Sequence, residues 1–122
     1  MATLNEIIQQ LTQAASQVRQ FEADAKKALY SHNDKDLYYQ LMSQKAHLLA
    51  SLPESIAAMT TLLNSEIAQS LKSQIGAFSF AAKKAINLDS VFYMSALLYP
   101  DDYADGEAND LENFISQLEN IR

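Results

Sequence analysis

The chain has 122 residues, 48% apolar and 20% charged, with two glycines, two prolines and no cysteine. That length supports one hydrophobic core, so a single domain over residues 1–122 is expected, and the composition excludes a disordered linker, a disulfide scaffold and a thiolate metal site. The net charge of −6 sits at one end: residues 1–100 carry eight Lys/Arg and eight Asp/Glu, residues 101–122 seven acids against Arg122, so no nucleic-acid partner is expected.

An all-β chain needs turn chemistry every few residues, which two glycines and two prolines cannot supply. Ala, Leu, Gln, Glu and Lys dominate instead, residues that lose little freedom in a helix. In chain order, Thr3-Leu4-Asn5-Glu6 reads as a capping box that opens a first helix. Leu4, Ile8, Leu11, Ala15, Val18, Glu22, Ala25 and Leu29 then form a heptad seam broken only by Glu22, carrying the helix to about Tyr30. Ser31-His32-Asn33 supplies a turn, and Asn33 to Asp36 can cap a second helix whose main stripe is Leu37, Leu41, Leu48 and Leu52, with Tyr38, Met42 and Leu49 alongside.

Pro53 suits the first turn of a third helix. From Ile56 the positions Met59, Leu63, Ile67, Leu71, Ile75 and Phe78 read as one face continuing toward Asn87, interrupted only by Gly76. A short helix is expected from Ser90 to about Leu98, then a loop from Pro100 to Gly106. A last helix starts at Asn109 and carries Leu111, Phe114, Ile115, Leu118 and Ile121. Short connections make this an all-α, antiparallel bundle of four to five helices.

The loop before the last helix holds the sharpest local pattern. Asp101, Asp105, Gly106, Asn109 and Glu112 fall at positions one, five, six, nine and twelve of a segment that resembles the EF-hand calcium loop, with Tyr103 departing at position three and Ala108 at eight. The resemblance implies side-chain oxygens from Asp101, Asp105 and Glu112 and a backbone carbonyl from Glu107. Without a metal, the same residues read as an Asp-Gly turn and an Asn109–Glu112 capping box. The cap is the expected role, with no cofactor.

His32 and His47 lack the Glu-x-x-His spacing of a di-metal bundle, and the sequence holds no phosphate-cradling glycine loop or nucleophile elbow, so an enzyme is not expected. Tyr30, Tyr38 and Tyr39 cluster at the first turn, where packing of amphipathic rings at a bundle end is the expected role. Val91 to Tyr99 is apolar nearly all round, yet is about half the length of a membrane span. Val91, Phe92, Met94 and Leu98 therefore become candidates for a subunit or partner interface. The expectation is a cytoplasmic, non-enzymatic, self-associating interaction protein, adaptor- or chaperone-like, with a protein or itself as partner and no membrane. The alternative is a ligand- or cation-binding module using loop 101–112.

Overall fold

A computed structural model of the chain describes residues 2–121; Met1 and Arg122, the lone base of the acidic tail, lie outside them. The described residues form six helices and an all-α bundle: α1 (Ala2–His32), α2 (Lys35–Ala50), α3 (Leu52–Thr60), α4 (Ser65–Asn87), α5 (Val91–Ala96) and α6 (Asp110–Ile121). The first is already under way at Ala2, so Thr3 lies inside it and is not its cap.

The turn between α1 and α2 uses Asn33 at φ 51, a left-handed position that asparagine tolerates, followed by Asp34, whose side chain accepts from the Leu37 N–H. Two turn residues leave no room for anything but an antiparallel hairpin. Its register shows in a pair equidistant from the turn, Glu22 with Lys45 at 2.8 Å, and beyond the hairpin Gln10 donates to the Ser55 carbonyl of α3 at 3.2 Å. Along α1 the buried face follows the expected seam, with Ile7, Ala14 and Ala28 added. Along α2 it is rotated toward the flank of the expected stripe: Met42 and Leu49 are buried together with Lys45 and Ala46, whereas Leu41 and Leu48 are half-buried and Leu37 is exposed. The rotation seats a lysine, not a leucine, against α1.

The continuous face expected from Ile56 to Asn87 is divided between α3 and α4. Thr60 and Thr61 each turn a hydroxyl onto the carbonyl three residues back, at 2.8 Å, and the Leu62 and Leu63 N–H groups make three-residue turns to Met59 and Thr60. Such local bonds offer the backbone an alternative to helix. Asn64 then swings to ψ 159 and caps the Ile67 N–H, which starts α4 afresh. α4 runs uninterrupted through Gly76. It meets α2 where Ser79, buried, donates to the carbonyl of Ala50 at 2.7 Å, satisfying a helix-end acceptor with no partner in its own helix.

α4 ends with Asp89 at φ 49, the Ser90 N–H bonded to Ala85 O and the Asp89 N–H to Ile86 O, the Schellman pattern in which glycine is usual. Ser90 caps α5 through the Tyr93 N–H. α6 buries Leu111, Phe114, Ile115 and Leu118 on one side, and Phe114 meets Phe78 of α4 edge-on at 6.5 Å. Each such residue withdrawn from water contributes about 1.5–3 kcal/mol. The core therefore runs from Leu4 of α1 to Leu118 of α6 and holds the short α5 at its flank.

Candidate functional site

Where α1, α2, α5 and α6 converge, charges replace hydrocarbon. Lys45 is 0% exposed; its ammonium is ion-paired with Glu22 at 2.8 Å, donates to the Ser95 carbonyl at 3.0 Å and lies 5.0 Å from the centre of the Tyr99 ring. The Tyr99 hydroxyl donates to the other Glu22 oxygen at 2.5 Å. Next to it, Arg19 grips Glu112 through two parallel bonds of 3.1 and 2.7 Å, and donates to the Tyr99 hydroxyl at 3.1 Å and the Glu107 carbonyl at 3.0 Å. Two cations and two carboxylates thus tie the 97–109 segment to the α1–α2 hairpin.

The local electrostatics follow from this geometry. Burial pushes the Lys45 ammonium below the usual lysine range, while the Glu22 carboxylate works to keep it charged. Burial, then the bond to Glu22 and its charge, raise the Tyr99 phenol, so it stays a donor. The two-pronged bond from Arg19 holds Glu112 below the ordinary carboxylate range against partial burial, and the Glu112 bond raises Arg19 in turn. Because Glu112 titrates lower in the folded chain than its unfolded value of about 4.3, its contribution to stability is fully present above that value. It is lost as pH falls through the folded value. Acid unfolding followed by circular dichroism should therefore show a steep limb below about pH 4.3 that Glu112→Gln makes shallower.

The sequence-predicted acidic loop arrives at this cluster, with its residues already engaged. Glu112 accepts from its own Asn109 N–H at 2.9 Å while the Asn109 side chain accepts from the Glu112 N–H at 2.9 Å, the reciprocal capping box. The Glu107 carboxylate accepts from the Ala104 N–H at 2.9 Å, and its carbonyl, the oxygen a cation would use, accepts from Arg19 and from the Tyr103 hydroxyl. Asp101 and Asp105 are exposed, Gly106 takes φ 91, and Asn109 is buried, its Nδ2 without a hydrogen-bond partner. Among the described residues no three acidic or histidine side chains are grouped so as to hold a metal ion. Calcium at matched ionic strength should leave the melting temperature unchanged, and Asn109→Ala should cost about 1 kcal/mol with or without it. A calcium-specific rise abolished by Glu112→Gln would overturn this.

Beside the cluster lies an open groove of about 720 Å³ whose walls include Lys26, Tyr30, Tyr38, Tyr99, Tyr103 and Asp105. Tyr38 is half-buried, Tyr30 projects to solvent, and Tyr39 turns away to donate to Asp89. His32 and His47 are exposed.

The four interface candidates divide. Met94 and Leu98 are buried in this chain's own core, Leu98 at φ 76 with its carbonyl accepting from the Asp110 N–H, so neither can meet another chain without rearrangement. A six-residue helix lies on a core with one side only, and Met94 takes that side. Val91 is half-buried, and Phe92 stands 72% exposed against Tyr93 at 53%, the two rings edge-on at 5.6 Å. Leu88, missed in the sequence, joins them at 56% exposed. Tyr93 and Leu88 border a hollow of about 390 Å³ walled by Ala81, Ala96 and Leu97. Among the described residues no helix is long and apolar enough to cross a membrane. No protein family, curated protein sequence or solved structure matches this chain.

Proposed function

We propose that this chain is a non-enzymatic interaction protein, adaptor- or chaperone-like, that docks on protein through the face formed by the end of α4 and α5. The observation that carries the reading is the exposure of Leu88 and Tyr93 at the border of this hollow, with the exposed Phe92 ring edge-on against Tyr93. Aromatic side chains grouped at such a place are the usual composition of an interface centre. The non-enzymatic part is supported by the charge cluster. Lys45, Glu22, Arg19 and Glu112 are types that catalysis uses, but here each is committed to a partner and Lys45 is sealed from solvent. The acidic 101–121 segment repels phosphate backbones, which favours protein over nucleic acid.

Photo-crosslinking in the native host tests the reading. With a photoreactive phenylalanine at position 92, a discrete light-dependent adduct is expected, and with the same group at the exposed position 69 of α4, none. Equal or absent adducts at both positions overturn it.

A second reading, a ligand-binding module, has its own support in the groove beside loop 101–112, which four tyrosines and Arg19 line. Native mass spectrometry of protein purified from its host separates the two: a stoichiometric small-molecule adduct favours the groove.

A further inference from the structure

α4 packs on the core along one face, where Leu71, Ile75, Ser79, Ala82 and Ala85 are buried. On the face turned away from it, Ala77, Phe80, Ala81, Lys84 and Leu88 fall at the i, i+3, i+4, i+7 and i+11 positions of one helical line. All five are exposed, Phe80 at 73% and Leu88 at 56%. The line is about 16 Å long, three turns of helix. Ala77 and Ala81 are small enough to let another helix approach, and Phe80 and Leu88 offer it apolar side chains to pack on. Ala81, Lys84 and Leu88 also border the hollow beside α5, so the line continues into the docking face.

The charges along this stretch have one sign. Between Glu66 and Asp89 stand Lys72, Lys83 and Lys84 and no acid, in a chain of net charge −6. All three lysines are exposed, and none is ion-paired among the described residues. Asp110 of α6 is the one acid among the residues that line the hollow. We propose that this seam of α4 binds an acidic amphipathic helix of a partner protein, its apolar side chains on Phe80, Leu88 and the two alanines and its carboxylates on Lys83 and Lys84. The inference rests on the reading of α4–α5 as a docking face and adds to it the chemistry of the partner. Helix-in-groove recognition works through apolar anchors at i, i+3, i+4 and i+7, the spacing that the seam presents. A basic helix would set like charges against the lysines. A second copy of this chain offers no such helix from its acidic end, because Leu111, Phe114, Ile115 and Leu118 of α6 are buried in its own core.

Selection from a displayed library of random helix-forming peptides of about 18 residues, five turns of helix, tests this on the purified chain. From the wild type, sequences with apolar residues at helical spacing and an excess of Asp and Glu are expected. From Lys83→Glu/Lys84→Glu the same apolar spacing is expected with an excess of Lys and Arg. The best wild-type peptide, labelled with a fluorophore, should bind at least about tenfold more weakly to Phe80→Ala and to Lys83→Glu/Lys84→Glu, and more weakly in high salt. The changed residues are exposed, so circular dichroism should be the same for all three proteins. No enrichment, peptides of the same charge from both proteins, or binding indifferent to Phe80→Ala overturns the proposal. So does tighter binding of the wild type to phosphatidylglycerol vesicles than to the peptide. A light-dependent adduct at position 92 without enrichment leaves the docking face in place and removes only the acidic helix; enrichment without that adduct removes α5 from the face and confines docking to α4.

Discussion

Lys45→Met is expected to destabilise the fold by about 3 kcal/mol, the lower end of the cost of removing one partner of a buried pair, since the Glu22 oxygen left without its cation is buried while the rest of that side chain is half-buried. The lysine is wholly buried and bonded to Glu22 and to the Ser95 carbonyl, so its removal orphans one charge and one acceptor together. Adding Glu22→Gln removes the stranded charge yet keeps an oxygen for the Tyr99 hydroxyl, and should return the larger part of the loss. Urea denaturation of the two single variants and the double variant reads the coupling directly. Simple additivity of the two losses would mean that the pair is not acting as a pair. The expected recovery would also explain why a lysine sits at a leucine-like position. On that outcome the pair adds little net stability over hydrocarbon, and its role lies in the register of the α1–α2 hairpin and the placement of Tyr99.

Much of this was legible in the sequence, and the legible parts were the local ones. The Asn109–Glu112 cap and the cap at Asp34 each involve residues three apart, so residue type and spacing carry them. The seam of α1 follows from the helical period alone. Apart from Thr3, read as a cap but placed inside α1, the misreadings arose where one element's placement depended on another. Glu22 stood out as a break in the α1 seam, and Lys45, four residues after Leu41 and three before Leu48, breaks the α2 stripe in the same way. Opposite charges at two seam positions nearly equidistant from one turn were the available indication of the buried pair. Arg19 and Glu112 are 93 residues apart and gave no local sign of their bond. Asn64 was obscured because the apolar spacing on either side of it is compatible with one long helix. The two threonines before it weaken that helix only through side-chain bonds that hydropathy does not record.

Met94→Ala and Phe92→Ala should behave oppositely, although both residues lie on the same six-residue helix and both were candidates for the interface. Met94 is 1% exposed and is the buried residue that anchors α5 to the core, so truncation leaves a cavity against α2 and α4 and should cost about 2–5 kcal/mol. Phe92 touches solvent on most of its surface, and its truncation should move monomer stability by no more than about 0.5 kcal/mol. The effect on association is the reverse. Phe92→Ala removes the projecting ring and should weaken association at the proposed α4–α5 docking face, whereas Met94→Ala, measured well below its melting temperature, leaves the exposed groups of the face in place. Chemical denaturation and sedimentation velocity on the same two variants separate the roles. If Phe92→Ala unfolds the chain as readily as Met94→Ala, the ring belongs to the core and not to a docking surface. If neither alters stability, α5 is not held by the packing described, and the face that includes it loses its support.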